Sequence, residues 1–160
     1  MKFLRTVSFD ASDAQVFEKS AQPGEWAVPG SFEFLGADPQ QLSGKPLQAF
    51  KSGFLGIGSF GWSSLVEIAE ISDDEIQQII DQLAQYFISK HGAPHIAAAL
   101  AAANDEAHYA SEVCEFPLHT LLAIEREFGD EGIVESLKVI QRRGADDHAA
   151  MKLWSTDDNQ

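Results

Sequence analysis

Only one of the 160 residues is a cysteine, Cys114, so no internal disulfide can form and the reducing cytoplasm is the expected compartment. No stretch approaches the roughly 20 apolar residues that span a bilayer, so no membrane partner is expected. The opening MKFLRTVSFD mixes charged and polar residues among its apolar ones, unlike the unbroken apolar core of a signal peptide. Bases are scarce where acids crowd: residues 67–115 carry ten acids and Lys90 alone as a base, within a formal net charge of −14. Such a surface repels polyphosphate backbones, which proteins grip chiefly with Lys and Arg, so nucleic acid is not an expected partner. Also missing are a G-x-S-x-G nucleophile elbow, paired zinc-type cysteines and H-E-x-x-H, so neither a catalytic set nor a cofactor is expected.

What is there is a core. Apolar residues make up 44% of the chain, with eleven Phe and three Trp, which suits one folded domain over 1–154 with a disordered tail at 155–160. The expected class is α+β: a mainly antiparallel sheet of about five strands, with a helical hairpin packed on one face. KFLRTVSF near the start reads as a strand, and SFEFL at 31–35 reads as another, because Phe32 and Phe34 alternate with Glu33 after a Pro29-Gly30 turn. A short helix is expected around 45–52, stopped by Gly53. LVEIAEI at 65–71 alternates as a central strand.

The clearest signal starts at Ser72. SDDE is a capping box, and Asp73 and Asp74 suit the positive end of a helix dipole. Ile76, Ile79, Ile80, Leu83 and Phe87 then share one face, giving a helix over 73–90 that ends at Gly92. Pro94 opens a second helix to about 114, whose stripe of Ile96, Leu100, Ala103, Ala107, Ala110 and Cys114 is mostly small. After CEFP, residues 118–142 suit either helices or a β-hairpin. The hairpin is preferred, because a sheet of the earlier strands alone would leave the two helices little to cover.

GIGSFG at 56–61 satisfies G-x-G-x-x-G, yet a dinucleotide fingerprint needs a strand before it and a helix after it. Here LQAFKS before it looks helical and WSSLVEIAEI after it looks extended. The order is reversed, so Gly53, Gly56, Gly58 and Gly61 are expected to form a tight turn using positive φ rather than a phosphate cradle. With Trp26, Phe54, Phe60 and Trp62 around it, the turn offers an aromatic rim for a partner or small ligand. Asp105, His108 and Glu112 share a helix face at metal-ligand spacing, but that face lies opposite the apolar stripe, so a solvated acidic surface accounts for it. Cys114 and His119 invite a thiolate–imidazole reading, opposed by Glu112, Glu115 and the cysteine's place in the small-residue stripe. Lys138, Arg142 and Arg143 form a basic cluster whose expected use is intramolecular pairing.

Three stretches, FEKSAQPGEWAVPGSFEFLG, AFKSGFLGIGSFGWSSLVEI and CEFPLHTLLAIERE, together resemble a family of small bacterial proteins of unknown function. The resemblance implies a single-domain unit and favours strands near 118–127. It brings no site residues. The functional expectation is a non-enzymatic accessory or protein-interaction domain whose partner is another protein. The alternative is a small-molecule-binding or catalytic domain with its pocket near residues 53–62, lined by Trp26, Phe54, Gly56, Gly58, Phe60 and Trp62.

Overall fold

A computed structural model describes residues 1–8, 12–140 and 153–155. In chain order the elements are β1 (Lys2–Thr6), α1 (Ser12–Val16), β2 (Trp26–Val28), a 3-10 turn (Ser31–Phe34), α2 (Gly44–Ser52), β3 (Phe54–Gly56) and β4 (Trp62–Ser63). Then follow β5 (Val66–Glu70), α3 (Asp73–His91), α4 (Ile96–Glu112), β6 (Leu121–Gly129), β7 (Gly132–Ile140) and β8 (Leu153–Ser155). All the strands join one antiparallel sheet in the order β4-β3-β2-β1-β5-β6-β7-β8. The α+β class, the helical hairpin and, within 118–142, a β-hairpin formed by β6 and β7 are as expected.

The sheet is larger than five strands. β2, β3 and β4 have three, three and two residues, too short to display a period of two. The expected strand at 31–35 is instead the 3-10 turn. Gly30, at φ 85°, swings the chain out of the sheet immediately before it. At three residues per turn, positions two apart point in different directions. Phe32 accordingly packs on Phe87 of α3 at 4.9 Å between ring centroids, while Phe34 packs on Phe50 of α2 at 5.1 Å. Alternation was real, but it served two cores rather than two faces of a sheet.

The larger core joins Phe3, Leu4, Ala27, Val28 and Ile68 of the sheet to Ile79, Leu83 and Phe87 of α3 and to the alanines of α4. Burying a side chain such as Leu83 contributes about 1.5–3 kcal/mol. The capping box forms as read: Ser72 Oγ accepts from the Glu75 amide at 3.2 Å, and Glu75 accepts from the Ser72 amide at 3.0 Å. The Ser72 amide and the Ser72 hydroxyl, each donating to Glu75 Oε1 at 3.0 Å, hold the Glu75 carboxyl below its ordinary pKa. Gly92 closes α3 in the left-handed conformation.

The second helix starts later than Pro94. His95 is its cap, with Nδ1 accepting from the Ala98 amide at 3.2 Å. Its buried stripe is Ala99, Ala103, Ala107, Ala110 and Cys114, whereas Leu100 is half-buried and Ile96 is exposed. At 100° per residue Ala99 lies about 40° from Ala103 and Leu100 about 60°, so the smaller side chain takes the centre. Small residues let α4 lie close to β1 and β2. A second cluster, Phe17, Phe34, Ala49 and Phe50, joins α2 to β6 through Phe50 stacked on Phe128 at 4.2 Å. Ser155, expected in the tail, belongs to β8, and 156–160 lie outside the described residues.

Candidate functional site

The glycine stretch is a β3–β4 hairpin closed by Gly56 N–H donating to Gly61 O at 2.8 Å. None of its glycines has positive φ. That conformation falls on Phe60, at φ 57°. The glycines are needed for close approach. A Cβ on Gly61 would meet the Ser20 carbonyl carbon at 2.6 Å, one on Gly56 would meet Glu25 Oε1 at 2.5 Å, and one on Gly53 would meet the Trp62 ring at 2.7 Å. The hairpin does wrap a carboxylate, and it is the chain's own. Glu25 Oε1 accepts from the Ser59 amide at 2.8 Å, and Oε2 accepts from the Gln22 amide at 2.6 Å. Glu25 is in turn fixed to β1, where Thr6 N–H donates to its carbonyl at 2.7 Å and Thr6 Oγ1 accepts from its amide at 2.9 Å.

This clamped turn delivers Phe60 to α3. The Phe60 ring stacks on Tyr86 at 4.0 Å between centroids and 3° between planes. Tyr86 Oη donates to Glu33, and His91 Nε2 lies 3.6 Å from the other Glu33 oxygen. Burial, and then the bond to Glu33 and its charge, push the Tyr86 hydroxyl well above the usual phenol pKa, so it stays a donor. Beside the stacked rings lies an open groove of about 450 Å³, lined by Phe60, Tyr86, Asp81, Gln82, Gln85 and Ser89.

The six residues expected around a pocket near 53–62 take different places. Phe54 and Gly56 are buried, Phe54 within the larger core. Trp26 is half-buried, edge-on to Phe3 at 6.2 Å and beneath the Arg5 guanidinium at 5.4 Å. Trp62 fills the space over Gly30 and Gly53 and packs on Phe34 at 5.4 Å. Gly58 is exposed at the turn, and Phe60 alone of the six lines the groove.

The other candidates stand apart. Asp105, His108 and Glu112 are all exposed, with His108 Nε2 3.2 Å from Glu112. Among the described residues no group of three His, Cys, Asp or Glu is arranged to hold a metal ion. Cys114 is buried, its Sγ donates to Ala110 O at 3.3 Å, and burial pushes its thiol up to about 12. His119 pairs instead with Glu67 at 3.3 Å. Lys138 pairs with Glu125 across the hairpin. Arg142 and Arg143 lie outside the described residues. No helix among the described residues is long and apolar enough to cross a membrane.

Sequence reading missed Arg126, whose side chain is 0% exposed. Its Nε donates to Glu135 Oε1 at 2.9 Å, its Nη1 to Phe50 O at 2.8 Å and Ala49 O at 3.3 Å, and its Nη2 to Pro29 O. Glu135 also accepts from Tyr109 Oη at 2.7 Å. Glu106 stands alongside, accepting from the Gly30 amide at 3.3 Å. Burial raises the Glu106 pKa against that bond. The signal was present, because Leu122, Ile124 and Arg126 occupy one face of β6 by simple alternation.

Compared with known proteins, the chain matches the family of unknown function DUF6505 over residues 1–157 and belongs to that family. No curated protein matches it, and no solved structure does.

Proposed function

We propose that this chain is a non-enzymatic cytoplasmic accessory protein that binds another protein through the groove between the glycine turn and α3. The carrying observation is the Phe60–Tyr86 stack, two half-exposed aromatic rings set face to face at the surface among hydrogen-bonding side chains. Partly exposed aromatic anchors rimmed by polar groups are what protein interfaces concentrate, because they bury large area at little conformational cost. The test is a photo-cross-linking residue placed at Gln82 or Ser89 of the full-length chain in its own cells, with Asn104 on α4 as the control position. The same adduct from both groove positions, lost on Phe60→Ala and missing from Asn104, supports the reading. No adduct at the groove, or the same adduct from Asn104, refutes it.

A second reading is favoured by size alone, because about 450 Å³ falls within the range of small-molecule sites. A thermal-shift screen with nucleotides, acyl thioesters and divalent metals addresses it. A raised melting temperature with any of these, together with failed cross-linking, would put the small-molecule reading first.

A further inference from the structure

We propose that the groove takes an arginine side chain from a basic segment of the partner protein, its guanidinium lying against the Phe60–Tyr86 stack and pairing with Asp81. The inference rests on the protein-binding reading above and specifies its chemistry. The groove lining holds one carboxylate and no cation. Besides the Tyr86 hydroxyl, which donates to Glu33, its polar groups are the carboxamides of Gln82 and Gln85, the Ser89 hydroxyl and the Asp81 carboxylate, each able to accept hydrogen bonds. Asp81 is exposed and takes its hydrogen bond from the neutral Gln77 amide at 3.2 Å. Among the described residues it forms no ion pair.

Aromatic faces carry negative quadrupole density, so a stacked pair beside an exposed carboxylate attracts a cation. Arginine fits better than lysine, because its planar guanidinium lies flat on a ring while its N–H groups reach acceptors in the same plane. Glu33 adds a second carboxylate at the Tyr86 hydroxyl, which donates to it, with His91 Nε2 3.6 Å from its other oxygen. The sole base of residues 67–115 is Lys90, so the approach to α3 is acidic over a long range and steers basic segments towards the groove.

The test is an NMR titration of the full-length chain, at physiological ionic strength, with short peptides alternating glycine with arginine, lysine, citrulline or glutamate. The arginine peptide is expected to shift the amides of Phe60, Gln82, Gln85 and Ser89. Citrulline, which keeps the shape and loses the charge, is expected to bind at least about fivefold more weakly. Asp81→Asn, an exposed change that leaves the fold intact, is expected to weaken the arginine peptide by a similar factor, as is Phe60→Ala. The proposal is overturned if the arginine peptide causes no shift there, if citrulline binds equally, or if Asp81→Asn changes nothing. Groove cross-linking combined with such a failure would sink the arginine assignment and leave the protein-binding reading standing. Failure of both would remove both.

Discussion

Replacing Arg126 with methionine removes the donor of four contacts while keeping most of the side chain's bulk. Glu135 loses its buried cation, and the carbonyls of Pro29, Ala49 and Phe50 lose a donor in a region that water does not reach. Breaking a buried pair from one side costs about 3–5 kcal/mol, because the remaining charge is left uncompensated. Against a total stability of about 5–15 kcal/mol, that is a large share. With a urea dependence of about 2 kcal/mol/M, the unfolding midpoint should fall by about 2 M. Tryptophan fluorescence reports it, because Trp62 packs in the same neighbourhood, on Phe34, whose ring lies 5.8 Å from the guanidinium. The double variant Arg126→Met with Glu135→Leu should recover part of the loss, since no unpaired charge then stays inside. A loss below about 1 kcal/mol for the single variant, or strict additivity in the double, would refute the account of this network.

Gly61→Ala should destabilise the chain by about 1–3 kcal/mol in thermal melts, because its Cβ meets backbone atoms of Ser20 and Ala21 that have nowhere to move. Gly58→Ala should cost less than Gly61→Ala, since its Cβ meets only the Glu25 side chain, at 3.3 Å, and no backbone. Glu106→Gln should raise the unfolding midpoint at neutral pH. The folded-state pKa of Glu106 is raised, so its stabilising contribution is present below the ordinary carboxylate pKa and lost as pH rises through the folded value. The gain in the variant should therefore fade as pH falls below that range, and a gain independent of pH would contradict it. Cys114, with its thiol pushed up to about 12 and its side chain buried, should resist a thiol reagent at neutral pH until the chain unfolds. Rapid labelling of the native protein would refute that.

Legibility followed the length and regularity of each signal. Helix α3 announced both of its ends and its buried face, because caps and a period of 3.6 are written locally. The β6–β7 hairpin was the preferred of two readings, and its nine-residue strands carry alternation long enough to support it. Strands β2 to β4 were illegible. They exist because the neighbouring strand supplies hydrogen bonds, as Ala27 pairs with Leu4 on one side and Gly56 on the other. The order read around GIGSFG, a helix before it and an extended segment after it, missed strand β3 immediately before the turn, while the extended segment after it is there. It gave no hint that the anion held there would be Glu25, thirty-one residues before Gly56, brought in by β1. Likewise Phe60 was visible as an aromatic rim residue, while its partner Tyr86 came from a helix whose sequence shows only that it is amphipathic.

The groove owes its form to a strain that the surrounding contacts outweigh. A non-glycine residue in the left-handed region costs about 1–2 kcal/mol, and Phe60 sits there at φ 57°. Its stack on Tyr86 returns about 0.5–1.5 kcal/mol, which does not by itself secure the conformation. The deciding contribution is the Glu25 clamp, because a hydrogen bond to a charged group contributes about 1.5–3 kcal/mol, and the Ser59 amide that Glu25 holds is next to Phe60. Glycine at position 60 would relieve the strain for nothing and would lose the ring. An aromatic residue in that conformation is therefore there for what the ring meets. Since the clamp lies within the fold, the ring is oriented before any partner arrives, and binding at the groove spends little on ordering it.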